Sequence, residues 1–197
     1  MKQNKLLGGP GRVITIGFKD TLPSDFIEIN CTSRSTTKWR ELSPFMNRPI
    51  KTPDGLIAQN LENLWQFSKV YSHYLDEDGV IKPQFYQWRA KGFADTFAHR
   101  YPMGKGIKPE FMLWGDQRLS YVQARREVYF PKYKETVKDT KIFQELNTLH
   151  QEGANLAIRD FDVYRFDPEK ISIDEIIDNP YKKAGHGFAL YHMLIDQ

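Results

Sequence analysis

Cysteine is almost missing from this chain: Cys31 stands alone among 197 residues. No disulfide can form within the chain, and no all-cysteine zinc site can be built. Long apolar runs are missing as well. None approaches the roughly 18 residues that a spanning helix needs, which excludes an integral helical membrane protein. Residues 1–11 carry lysines but no apolar segment, so no secretory signal is read there. An excess of one charge is missing too. The 28 basic and 25 acidic residues leave +3, too balanced for a nucleic-acid coat protein yet compatible with an anionic ligand on a local basic patch. Repeats and low-complexity tracts are absent. These absences point to a cytoplasmic protein, or to the host cytoplasm if the chain is viral.

What is present is a core. Hydrophobic residues make up 40% and charged residues 27%, the balance of a globular chain of about one domain's length. Aromatics reach 14%; such side chains fill cores, and they also stack on bases. Residues 1–11, which end in Gly8-Gly9-Pro10-Gly11, read as a flexible arm before a single domain over 12–197.

The apolar patterns predict strands at Arg12–Gly17, Phe26–Cys31 and Asn155–Phe161. They predict helices at Asn60–Leu75, from Pro83 to Phe97, from Arg118 to Tyr129 before Pro131, and over Thr140–Gln151 before Gly153. Ser172-Ile173-Asp174-Glu175 has the form of a capping box, and Gly185–Ile195 reads as a last apolar helix. Short strands scattered among longer helices, without regular βαβ alternation, predict a mixed α/β (α+β), helix-rich fold with a small sheet.

The most informative stretch runs from Leu42 to Tyr71. On a helical wheel Leu61, Leu64, Tyr71 and Leu75 share one side, while Glu62, Trp65, Gln66 and Lys69 gather beside them. A nucleotide pocket uses such a set: the ring stacks, the amide reads polar edges and the charged pair does chemistry. The same four residues also suit a solvated helix flank with a half-buried tryptophan.

The order Ser43-Pro44-Phe45, Pro49-Ile50, Asp54-Gly55, Glu62, Gln66, Lys69 resembles the opening of the NADAR family. Weaker likeness continues through Ala124–Tyr133, Thr140–Leu149, Asn155–Asp162 and Gly185–Leu190. The resemblance implies a compact mixed α/β fold and action on N-glycosidic bonds of ribose. Family members are linked to release of ADP-ribose from guanine in nucleic acid and to cleavage of ribosylamine pyrimidine intermediates. Two departures mark a divergent branch. Asn63 stands where the family has His, and Asp160-Phe161-Asp162-Val163-Tyr164 replaces its acidic residue followed by Trp-Gly.

Breaking an N-glycosidic bond develops an oxocarbenium-like sugar and negative charge on the leaving base. A carboxylate can stabilise the sugar and orient water; Glu62 is the first candidate, with Asp160 or Asp162 next. Lys69, expected about 10 Å from Glu62 along one helix, could donate to the leaving group or attack the ring-opened sugar as an amine. Trp65 and Gln66 would bind the ligand. Met103–Pro109, with two glycines and the lysines Lys105 and Lys108, suits phosphate without being a P-loop. Arg34 and Arg100 could serve the same group, and Trp114 could stack a base.

Asp160-X-Asp162 could approach a divalent cation, but with no further ligands in sequence no metal or other cofactor is assigned. His186 lies between two glycines, which permit close approach of a ligand or of neighbouring backbone. Cys31 reads as a small buried residue. The expected activity is that of an N-glycosidase or ADP-ribosylglycohydrolase on a nucleotide or ADP-ribosylated nucleic acid. The alternatives are a non-catalytic nucleotide or modified-nucleic-acid binder and a DNA-modifying glycosyl or ribosyl transferase.

Overall fold

The computed structural model describes residues 9–196. In chain order the elements are β1 (Val13–Gly17), β2 (Ile27–Asn30), β3 (Ile50–Lys51), β4 (Ile57–Ala58), α1 (Leu61–Phe67), β5 (Lys69–Val70) and α2 (Pro83–Ala94). Then come β6 (Phe111–Trp114), β7 (Gln117–Leu119), α3 (Tyr121–Ala124), a π-helical turn (Arg125–Tyr129), α4 (Phe130–Val137) and α5 (Lys141–Gln151). β8 (Leu156–Asp160), α6 (Ile173–Asp178) and α7 (His186–Ile195) complete the mixed α/β fold. Among the described residues no helix is long and apolar enough to cross a membrane. The contacts divide the chain into two compact units, residues 9–43, 137–176 and 183–196, and residues 44–136 and 177–182.

The first unit is built on a parallel sheet in the order β1-β8-β2. All five residues of β8 are buried, as expected of a strand paired on both sides under a helix. That helix is α7, which packs on β1 and β8; its Phe188, Ala189, Leu190, Tyr191, Met193 and Leu194 are buried. Arg159 can lie in the buried strand because its guanidinium is bonded at Nε and Nη1. Nη1 donates to Gly17 O, Phe18 O and Asp20 O at 2.9, 3.0 and 2.9 Å, and Nε bonds Glu28.

The predicted strands and the predicted starts of α5 and α7 agree with the structure. Thr140 caps α5 by accepting from Phe143 N–H, and Ser172 and Glu175 form their reciprocal cap at the start of α6. The predicted arm over 1–11 lies outside the described residues as far as residue 8. Its last residue is anchored: Gly11 N–H donates to His150 O at 2.9 Å, and a Cβ there would fall 2.0 Å from Ala154 O.

The second unit carries the antiparallel sheet β5-β6-β7 and the β3–β4 hairpin. Its core joins Val70, Phe85 and Leu113, with Tyr74, Leu75, Ile81, Trp88 and Phe111 packed around them. α1 packs on α2 at Gly92, where a Cβ would meet the Phe67 ring at 2.1 Å. The Pro53-Asp54-Gly55 turn has Gly55 at φ +85° and presents Asp54 to the buried Arg89.

Two helix predictions are corrected in this unit. The helix expected over Asn60–Leu75 ends at Phe67, and Lys69 lies on β5. Non-local pairing overrides the helical pattern. Lys69 and Val70 pair with Met112 and Phe111, while Ser68 O and Val70 O accept from Leu113 N–H and Glu110 N–H. Pro131 does not end the helix before it. The expected helix from Arg118 is a strand as far as Leu119, and the helical run from Tyr121 continues through α4. In the π turn, Phe130 N–H reaches Arg125 O. The wider turn lets α4 take Pro131 as its second residue, where a missing N–H costs little.

Candidate functional site

Glu62 stands in the first turn of α1, where an acidic group suits the positive end of the helix. Asn60 caps that helix, its side chain accepting from Asn63 N–H at 2.8 Å. Glu62 N–H donates to Pro44 O at 3.1 Å, so the Ser43-Pro44-Phe45 motif is tied to the helix start. The Glu62 side chain is buried, with the residue only 6% exposed.

Gln66 follows one turn later and is also buried. Its Nε2 donates to Glu62 Oε1 at 2.9 Å, and its Oε1 accepts from Lys69 Nζ at 2.8 Å. A single amide thus joins carboxylate to ammonium, each on the side its polarity suits. The expected separation of Glu62 and Lys69 by seven residues of one helix is replaced by this relay, because Lys69 reaches back from a strand. Its Nζ also sits 5.1 Å from the centre of the Trp65 ring.

Trp65 is half-buried and packs on Tyr129, with ring centres 4.9 Å apart, and on Tyr121 at 6.1 Å. Neither tyrosine was singled out from the sequence. The π turn that places Tyr129 leaves no local mark except Pro131. Behind Tyr121, buried Arg125 lies 4.0 Å from its ring and donates to the carbonyls of Ile177, Asn179 and Lys182. Ser68, between Gln66 and Lys69 in the chain, has a buried hydroxyl with no hydrogen-bond partner.

Asn63, the residue after Glu62, is wholly buried. Its Nδ2 donates to Asp95 O and Phe97 O, both at 2.9 Å, and its Oδ1 accepts from His99 N–H at 2.8 Å. It anchors the chain leaving α2, a role the sequence does not announce.

The remaining candidates of this unit lie elsewhere on it. Lys105 is exposed on a loop in which Gly104 and Gly106 have φ of +100° and +88°. Trp114 ends β6 at the Gly115-Asp116 turn, half-buried, with Lys132 Nζ 5.9 Å from its ring centre.

In the first unit, Asp160 is the last residue of β8 and is buried. Its Oδ1 accepts from Phe161 N–H at 2.6 Å and its Oδ2 from Gly187 N–H at 3.2 Å. His186 Nδ1 lies 3.2 Å from the same Oδ2, and its Nε2 lies 2.9 Å from Cys31 O. The two glycines beside His186 serve this approach: a Cβ at Gly185 would fall 2.7 Å from Asp160 Oδ2, and one at Gly187 2.9 Å from Asp160 Cβ. Asp160 therefore anchors the start of α7.

Asp162 lies beyond the strand and pairs with Lys183 at 2.9 Å. Arg34 is exposed, its guanidinium 5.7 Å from the Phe161 ring centre. Burial, and then the Asp160 charge, raise the Cys31 thiol well above its ordinary range. Among the described residues no three His, Cys, Asp or Glu side chains converge as a metal site.

A family model, described as a family of unknown function, matches residues 17–169. The chain belongs to the DUF6939 family. No curated protein matches it. The DUF6939 match takes in Glu62, Gln66, Lys69, Asp160 and Asp162, while His186 lies beyond it.

Proposed function

We propose that this DUF6939 chain is a divergent relative of the NADAR proteins and hydrolyses a ribosyl–base N-glycosidic bond of a nucleotide-like substrate in the cytoplasm. The observation that carries this reading is the Glu62–Gln66–Lys69 relay beside the Trp65 ring. Such an arrangement holds a carboxylate and an ammonium in fixed relation, next to an aromatic face able to stack a base.

In this reading the Glu62 carboxylate takes a proton from water as the water oxygen bonds to the anomeric carbon. The C–N bond breaks, and its electron pair leaves with the base. Lys69 donates the proton that the departing base requires, and Glu62 returns the water's proton through solvent. Gln66 keeps the two groups in register. Asp160 and Asp162 are the next carboxylates, but Asp160 is engaged in holding the start of α7 and Asp162 in a pair with Lys183.

The test is incubation with ADP-ribosylated guanosine, ADP-ribosylated DNA and unmodified nucleotides, with products read by mass spectrometry. Release of a free base or of ADP-ribose supports hydrolysis. Tight binding without product would instead identify a nucleotide binder. Transfer of the ribosyl group to DNA would identify a transferase.

A further inference from the structure

Between α2 and β6, residues 95–110 carry Arg100, Lys105 and Lys108, with the acidic Asp95 and Glu110 at the two ends only. Within this segment Phe97 is 70% exposed, Tyr101 50% and Ile107 56%. A phenylalanine so exposed would ordinarily be free to turn inward. Here its backbone is locked. Phe97 N–H donates to Asp95 Oδ1 at 2.8 Å, Phe97 O accepts from Asn63 Nδ2, and His99 N–H donates to Asn63 Oδ1. The adjacent Asp95 is fixed in turn by His99 Nε2 at 2.8 Å. The His99 ring stands edge-on to both Phe97 and Phe67. The Phe97 backbone is thus fixed by part-buried polar contacts with its ring exposed.

We infer that the Phe97–Lys108 segment is a platform for single-stranded nucleic acid, with bases stacking on Phe97 and on the face of Tyr101 away from the Arg100 guanidinium, which lies 5.6 Å from that ring's centre, and phosphates meeting Lys105 and Lys108. Exposed rings interleaved with cations are the two elements that sequence-tolerant single-strand binding uses. Gly104 and Gly106, both at positive φ, flank Lys105 without side chains, so a phosphate backbone can approach closely beside that lysine. A strand of bases suits this surface better than a duplex, whose bases are already stacked. The inference rests on the reading of Glu62 as serving a ribosyl–base bond, and narrows it: the substrate would be part of a polymer. Asn63, one residue from Glu62, then joins the candidate catalytic carboxylate to the platform.

The test measures binding of unmodified oligonucleotides, which carry no scissile group, so its outcome is independent of whether hydrolysis occurs. Fluorescence anisotropy would follow a labelled 15-nucleotide thymidine strand, its duplex with adenosine, and vesicles containing phosphatidylserine. The single strand should bind most tightly. Phe97→Ala and Tyr101→Ala should each weaken it about tenfold, with unchanged thermal unfolding because both rings are exposed. Lys105→Ala combined with Lys108→Ala should reduce the slope of log affinity against log salt by roughly 1.4. Equal binding of strand and duplex, preference for vesicles, or single-strand affinity indifferent to Phe97 and Tyr101 would overturn the inference.

Discussion

Gln66 donates its amide N–H to the Glu62 carboxylate across one turn of α1, at 2.9 Å. The same amide's oxygen takes the Lys69 ammonium. Gln66 is therefore a positioning residue in the proposed reaction. Gln66→Ala should lower kcat about 10- to 100-fold with little change in KM, since the groups remain but lose their register. Gln66→Glu should do worse, because it sets a second carboxylate against Glu62. Steady-state kinetics that separate kcat from KM check both.

Asn63 makes three hydrogen bonds to the chain leaving α2. Asn63→Ala should cost about 3 kcal/mol at roughly 1 kcal/mol each, read by urea unfolding. It should also open residues 95–110 to proteolysis before the rest of the chain. Asn63→His, which installs the residue of the resembling family, should not restore stability, because one imidazole cannot donate twice and accept once in this geometry.

Acid should destabilise the second unit through two carboxyls. Burial pushes the Asp54 carboxyl up, but hydrogen bonds from Arg89 and Thr52 together with the Arg89 charge outweigh it and leave it lowered. The His99 hydrogen bond, then the Phe97 N–H, lower Asp95. A lowered folded-state value stabilises above the ordinary carboxyl range and is lost as pH falls through it, below about 4. Tm should therefore drop there, and Asp54→Asn should flatten that drop. At pH 7 the same variant should lower Tm, because it removes the charge that faces the fully buried Arg89 while leaving an amide oxygen to accept from it.

Cys31 is buried, and its thiol is raised well above its ordinary range by that burial and by Asp160. It should resist an aromatic disulfide reagent at pH 8 in the native protein and react fully in 6 M guanidinium. Native reaction within minutes would contradict its placement.

The outer framework was legible because its signals are local. Alternating apolar residues marked β1, the apolar run Leu156-Ala157-Ile158 marked β8, Pro83 marked the start of α2, and Ser172 with Glu175 marked the start of α6. The spacing of Glu62 and Gln66 likewise announced their contact. Lys69 was misplaced because its strand is dictated by Phe111 and Met112, some forty residues away. The turn of π helix ahead of Pro131 and the loop held by Asn63 also depend on partners distant in sequence. The two-residue strands β3 and β4 are too short to carry a period.

Substitution of Glu62 by Gln tests the central claim most directly, since it keeps the side chain's shape and its acceptor for Gln66 while removing the charge. On a substrate shown to release base or ADP-ribose, Glu62→Gln should lower kcat about 10³-fold while leaving ligand affinity, measured by calorimetry, within a few-fold of the parent. Full turnover by Glu62→Gln would contradict the assignment and pass the role to Asp160 or Asp162.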